Sequence, residues 1–263
     1  MRVWAVANQK GGVGKTTSTV NIGGILAKEG KRVLMIDLDP HGSLTAYMGL
    51  DPESIEHSVY DVFQQFASGK VPDVSQVIRS TEFDNLYVMP SSTAVATLEK
   101  QFGSRSGMGL VLHQVLERAA ADFDYAFIDC PPMLGMLMIN ALAASKRVII
   151  PVQTEHLAIK GMERMLRTLT MVQKSLSKDM AYTILPTMYD QRTLACKQSL
   201  QRLVNEHKQR MTNVVIPVDT RLRDASHKGV PISWLPGESG GQNAYEQFVK
   251  KLSGMNKPAS EVA

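Results

Sequence analysis

Val3-Trp4-Ala5-Val6-Ala7-Asn8-Gln9-Lys10-Gly11-Gly12-Val13-Gly14-Lys15-Thr16-Thr17 is the stretch on which the reading of this chain turns. Val3 to Ala7 is a short apolar run with strand character, and the glycines after it open a loop. The pattern Gly-x-x-x-x-Gly-Lys-[Ser/Thr] is normally a strand-to-helix loop, and here Lys10 precedes Gly11-Gly12-Val13-Gly14-Lys15-Thr16 in that setting. Glycines let backbone N–H groups turn inward around phosphate oxygens, and the following helix adds roughly half a positive charge at its N-terminus. The segment Gly11, Gly12, Val13, Gly14 is therefore expected to cradle a nucleotide. Lys15 would contact the β- and γ-phosphates, Thr16 would offer a hydroxyl to Mg²⁺, and Thr17 would reach the α-phosphate. ATP and Mg²⁺ are the expected cofactors.

Similar apolar runs recur outward from this loop: Arg32 to Leu38, Leu86 to Met89, Tyr125 to Ile128, Arg147 to Val152, Tyr182 to Leu185 and Val214 to Ile216. Continuous apolar strands separated by helical patterns predict a mostly parallel sheet covered on both faces, a doubly wound α/β fold. Ligands of such sheets bind outside the carboxyl ends of the strands, where polar motifs follow at Asn8, Asp37, Asp129 and Pro217. With 263 residues, 44% of them hydrophobic, one domain over residues 1–253 is expected. The small, polar tail over 254–263, with Pro258, is expected to be disordered. Val59, Val62, Phe63 and Phe66 have the spacing of a core-facing helix, as do Tyr245, Phe248, Val249 and Leu252.

Composition narrows the function classes. The net charge of +4 permits nucleic-acid contact without requiring it. No stretch approaches the roughly 20 apolar residues of a membrane span. The N-terminal apolar run passes directly into the phosphate loop, so it is not read as a cleavable leader, and a cytoplasmic protein is expected. Cys130 and Cys196 offer neither a disulfide framework nor zinc spacing, and the six histidines are scattered. The Met133-Leu-Gly-Met-Leu-Met138 run reads equally as helix core or as a partner surface.

Two features near the loop call for explanation. Asp37 and Asp39 lie two apart at the mouth of a strand, so an extended backbone points both to one side, toward the nucleotide. They and Asp129 could bind Mg²⁺ or its waters, or else cap the following helices. Lys10 places a second ammonium beside phosphates that Lys15 already serves; one reading is that Lys10 crosses an interface to a partner subunit's nucleotide. No strong acid/base pair is evident, which suits slow hydrolysis.

Lys10-Gly-Gly-Val-Gly-Lys15-Thr-Thr, Asp37-Leu-Asp39-Pro40, Phe127-Ile-Asp129-Cys-Pro131-Pro132 and Ile216-Pro217-Val-Asp219-Thr-Arg221-Leu together resemble the ParA/MinD family of deviant Walker A ATPases, from Met1 to about Leu252. The resemblance implies an ATP-dependent homodimer in which the lysine matching Lys10 acts across a nucleotide sandwich. It also implies that Asp39 positions the attacking water, that Asp37 and Asp129 act through the metal, and that Pro217 and Asp219 frame the base. Val218-Asp219 stands where relatives often carry Arg-Asn. DNA-binding members hold phosphate backbones without reading sequence, which makes Arg192, Arg221 and Arg223 the DNA candidates and nonspecific DNA a partner to test. Asp39-Pro40-His41-Gly42-Ser43 departs from the Gln-Gly-Asn continuation usual in partition proteins. With the start Met-Arg-Val-Trp-Ala-Val-Ala-Asn-Gln, it is similar to the ParC-type subgroup, which positions chemotaxis arrays at cell poles through partner proteins. The alternative cargo is a plasmid or chromosome.

Overall fold

The structure is a computed structural model and describes residues 1–254. Seven strands form one sheet: β1 (Arg2–Val6), β2 (Val33–Asp37), β3 (Arg79–Ser80), β4 (Leu86–Met89), β5 (Tyr125–Asp129), β6 (Arg147–Gln153) and β7 (Ala181–Thr187). Their order is β3-β4-β2-β5-β1-β6-β7, parallel except for the β3–β4 pair. The helices of the N-terminal half are α1 (Lys15–Lys28), α2 (Ser43–Tyr47), α3 (Val59–Ala67), α4 (Leu98–Phe102) and α5 (Val111–Arg118). Those of the C-terminal half are α6 (Met136–Ala144), α7 (His156–Leu176), α8 (Leu194–His207), α9 (Thr220–His227) and α10 (Gly240–Gly254).

The strand residues alternate between two apolar layers. Val3 and Ala5 join Leu34, Ile36, Ile128 and Ile150 in a cluster closed by α3, α5, α6 and α7. Trp4 and Val6 join Met35, Phe127 and Ile149 in a second cluster closed by α1 and α10. Because the central strands β1, β2 and β5 are buried on both faces, they read as nearly continuous apolar runs rather than alternating with polar residues. The connection after β1 runs toward β2 and that after its neighbour β6 runs the other way, toward β7, so the loop after β1 opens where the strand order reverses.

Most sequence expectations hold in place. Val59, Val62 and Phe63 are buried, and Phe66 packs against the same layer. Tyr245, Phe248, Val249 and Leu252 of α10 are buried, and the helix packs on α1. The methionine run divides, with Met136 and Met138 in the core and Met133 76% exposed.

Three expectations are corrected. Val214 to Ile216 forms no strand. The segment runs beside β7 and makes only isolated bridges, Ile184 with Met211 and Tyr189 with Pro217. Pro186 lacks the N–H that would donate to this segment as the Ile184 N–H donates to the Arg210 carbonyl, so the ladder is interrupted. The short antiparallel β3 has no counterpart among the expected strands, since two exposed residues leave no apolar signature. Gly254, placed by sequence in the tail, ends α10, and the rest of that tail lies outside the described residues.

α1 approaches its neighbours closely. A Cβ at Gly23 would stand 3.3 Å from Met35 Sδ, and one at Gly24 would collide with the Pro231 ring. Trp234 Nε1 donates to the Gly24 carbonyl at 3.2 Å, which holds that segment against the helix. Alanine is the better helix former by about 1 kcal/mol, but forced overpacking costs about 1–3 kcal/mol. Gly24→Ala should therefore lower unfolding stability by about 1–2 kcal/mol in urea titration; a gain in stability would show that the helix has room to move.

Candidate functional site

The loop after β1 is fixed from three sides. Asn8 Nδ2 donates to the Pro151 carbonyl at 2.7 Å and its Oδ1 accepts the Lys10 N–H at 3.1 Å. Val13 is fully buried, and its carbonyl accepts the Thr187 hydroxyl at 2.9 Å. Gln9, standing where the general motif has its first glycine, donates to Thr168 Oγ1 on α7 at 2.9 Å. Gly12 and Gly14 have φ of +70° and +89°, a region that side-chain-bearing residues avoid. Space around Gly11 and Gly12 is open, with nothing within 4 Å of a Cβ built at either. Gly14 is the N-cap of α1 and supplies no side-chain cap, so the first N–H groups of the helix stay available to an anion.

The side chains divide by depth. Lys15 is 8% exposed, and its Nζ reaches the Lys10 carbonyl at 3.4 Å. Thr16 Oγ1 donates to Asp129 Oδ2 at 2.6 Å, while Asp129 Oδ1 is buried without a partner. Burial, with the Asp37 charge beside it, pushes the Asp129 carboxyl well above its ordinary range, and the Thr16 bond and Lys15 oppose that shift. A buried, half-satisfied carboxylate next to a hydroxyl on a phosphate loop fits a hard divalent cation that takes few protein ligands. Mg²⁺ therefore suits this donor set.

Asp37 and Asp39 do not share one orientation. Asp37 is fully buried, and its Oδ2 accepts both the N–H and the hydroxyl of Thr45 at 2.8 and 2.7 Å, which anchors α2. Its Oδ1 accepts the Asp39 N–H at 3.1 Å. Burial raises its carboxyl to about 6 in spite of these bonds. The chain turns immediately after β2, which breaks the period-two geometry expected from sequence. Asp39, by contrast, lines an open cavity of ≈ 700 Å³ together with Gly11, Gly12, Lys15, Thr16 and Thr17. Its Oδ1 accepts the His41 N–H at 3.0 Å and lies 2.7 Å from His41 Nδ1.

Lys10 lies at the rim, its Nζ 3.5 Å from Glu155 Oε2, with both side chains partly exposed. Pro217 and Val218 line an adjoining cavity of ≈ 640 Å³ with Thr17 and Met188. Asp219 also borders it, but as the N-cap of α9 its Oδ1 accepts the Arg221 N–H at 2.9 Å and its Oδ2 accepts the Gly241 N–H at 2.7 Å. The carboxylate thus joins α9 to α10 at the edge of the cavity.

The three arginines expected at a DNA surface are unlike one another. Arg192 is paired in a fork with Asp190 at 2.8–2.9 Å. Arg221 donates to the carbonyls of Glu238 and Pro236. Arg223 alone of the three has no side-chain partner among the described residues. Glu155 and Thr187 carry no motif in the sequence, because each acts through a partner distant along the chain, Lys10 and Val13.

The family profile described as "AAA domain" (AAA_31) matches residues 1–182. The chain is 38% identical to the sporulation initiation inhibitor protein Soj of Bacillus subtilis over 96% of its own length and 98% of that protein. It is 33% identical to the chromosome partitioning protein ParA of Caulobacter vibrioides, covering 96% and 94%. Among solved structures it is similar to cobyrinic acid a,c-diamide synthase from Mycobacterium smegmatis with bound ATP analogue and magnesium. That match has 35% identity and a TM-score of 0.82 over 96% of this chain and 94% of the other.

The doubly bonded Asp219 carries its own test. Loss of an N-cap and of a second buried contact costs about 1–2 kcal/mol. Asp219→Ala should destabilise the chain by that amount in thermal or urea unfolding, and an unchanged midpoint would return Asp219 to a ligand-binding role alone.

Proposed function

The chain belongs to the AAA domain family AAA_31 and is a homologue of the Bacillus subtilis Soj protein and of the Caulobacter vibrioides chromosome partitioning protein ParA. On that premise, we propose that it is an ATP-hydrolysing switch, a single domain over residues 1–253, that pairs with a second copy when ATP is bound. The observation that carries this reading is the separation of the two loop lysines. Lys15 is buried inside the phosphate loop, whereas Lys10 reaches only an exposed glutamate at the rim.

In this mechanism the N–H groups from Gly11 to Thr16 surround the β- and γ-phosphates, and Lys15 compensates their charge without leaving the loop. Thr16 and Asp129 would hold Mg²⁺, which when bound neutralises charge developing on the phosphates, as magnesium accompanies the ATP analogue in the Mycobacterium smegmatis structure. Asp37 adds negative charge behind Asp129 while its oxygens stay on Thr45 and the Asp39 N–H. Asp39 engages His41 through one oxygen and can orient an attacking water with the other. Pro217 and Val218 border the space for the base. Lys10 leaves Glu155 and meets the nucleotide of the partner subunit, so pairing completes the site. Positioning without a strong general base gives slow turnover, which suits a timer.

The cargo we favour is the polar chemotaxis array, reached through an adaptor protein in the cytoplasm and concentrated at a cell pole. Its support is the departure at His41-Gly42-Ser43 and the N-terminal start. The second reading is chromosome or plasmid partition on nonspecific DNA, supported by the name of the ParA relative from Caulobacter vibrioides. No helix among the described residues is long and apolar enough to cross a membrane. Synthase chemistry, named for the Mycobacterium smegmatis neighbour, needs an acceptor pocket beyond the two cavities that triphosphate and base would fill.

Two variants test the mechanism. Lys10→Ala should bind ATP yet remain monomeric by light scattering, and a normal ATP-dependent dimer would refute the cross-subunit role. Asp39→Ala should accumulate as the ATP-bound dimer with phosphate release reduced on the order of 10²-fold; unchanged turnover would remove Asp39 from water positioning.

A further inference from the structure

α7 carries a surface stripe that neither the phosphate site nor the three arginines expected from sequence use. Leu157, Lys160, Arg164, Arg167, Met171 and Lys174 are all exposed and follow one another at spacings of three, four, three, four and three. That alternation is a seven-residue repeat, which draws a nearly straight seam along one side of a helix. The seam runs for about 25 Å at 1.5 Å per residue. Among the described residues, no hydrogen bond, ion pair or ring contact engages the side chains of the four cations. The helix's lone acid, Glu163, lies off this seam and pairs with Arg202 of α8 at 3.0 Å. Leu157 and Met171 are 69% and 56% exposed, far more than the opposite face of the helix, which is buried in the core.

We propose that this seam docks an acidic amphipathic helix of a partner protein. Four like charges repel one another along the stripe, and an incoming row of carboxylates relieves that repulsion while complementing the sign of the surface. The heptad spacing favours a helix over other acidic partners, because a second helix meets all six positions in register. Leu157 and Met171 favour protein over DNA: apolar side chains gain from contact with other apolar groups and nothing from phosphate oxygens. No residue of the phosphate loop belongs to the seam, so docking here does not depend on the ATPase reading.

The test uses the full chain and a synthetic helical peptide of about three heptads with glutamates at the seam positions facing the cations and leucines facing Leu157 and Met171. Its controls are a shuffled peptide of equal composition and a mixed-sequence DNA duplex, all read by fluorescence anisotropy. The seam peptide should bind, and the shuffled one should bind about tenfold more weakly. Arg164→Glu with Arg167→Glu should remove the peptide's advantage while the circular dichroism spectrum stays unchanged. Arg164→Gln with Arg167→Gln, which removes charge without reversing it, should fall between, and it carries the test if the reversed variant misfolds. Equal binding of both peptides, or no peptide binding by the wild-type chain, would overturn the proposal. So would duplex DNA binding that is lost in these variants while peptide binding persists.

Discussion

The backbone at the end of β1 can face a row of N–H groups inward only because Gly12 and Gly14 adopt left-handed conformations and Val13 is pinned between them. That constraint sets the positions of everything else at the site. The Val13 carbonyl is tied to Thr187 at the end of β7, and Asn8 is tied to Pro151 in β6, so the loop is braced by the two strands on one side of the sheet. On the other side, Thr16 is bonded to Asp129 at the end of β5, which pairs residue for residue with Asp37 of β2. A change in what the loop holds is therefore felt first at the carboxyl ends of four strands.

Within that frame, charge is placed by depth. Lys15 and Asp129 are buried together with Asp37, an arrangement that is costly without a ligand to balance it: burial raises both carboxyls, and one Asp129 oxygen has no partner. Lys10, Glu155 and Asp39 lie toward the opening, where a second molecule can reach them. The buried set fits nucleotide and metal, and the rim set fits a partner. Exposed Met133, Leu134 and Leu194 add apolar area on which a closely apposed copy can pack.

How much of this is legible in the sequence follows from the range of each interaction. The phosphate loop, the parallel sheet and the core faces of α3 and α10 rest on local spacing, and the structure places them as the spacing predicts. Val214 to Ile216 has the composition of a strand, but ladder formation also depends on donors in the neighbouring strand, and Pro186 of β7 lacks one. The Asp37–Asp39 pair would share one side only in extended backbone, and that geometry ends before Asp39. Asp219 is named by family resemblance for the base, and nothing in the sequence signals its second bond, to the Gly241 N–H 22 residues away, which forms only when α9 and α10 meet. Of the basic residues, Arg192 and Arg221 have local partners that sequence does not show, while a row of cations without partners among the described residues lies on α7, where no motif marks it.

Pairing driven by ATP is tested most directly by light scattering of the purified chain with Mg²⁺ and either ATP or ADP. A mass that doubles with ATP and stays monomeric with ADP is the result expected if Lys10 completes a neighbouring site. The same mass with both nucleotides, whether monomer or dimer, would contradict the switch.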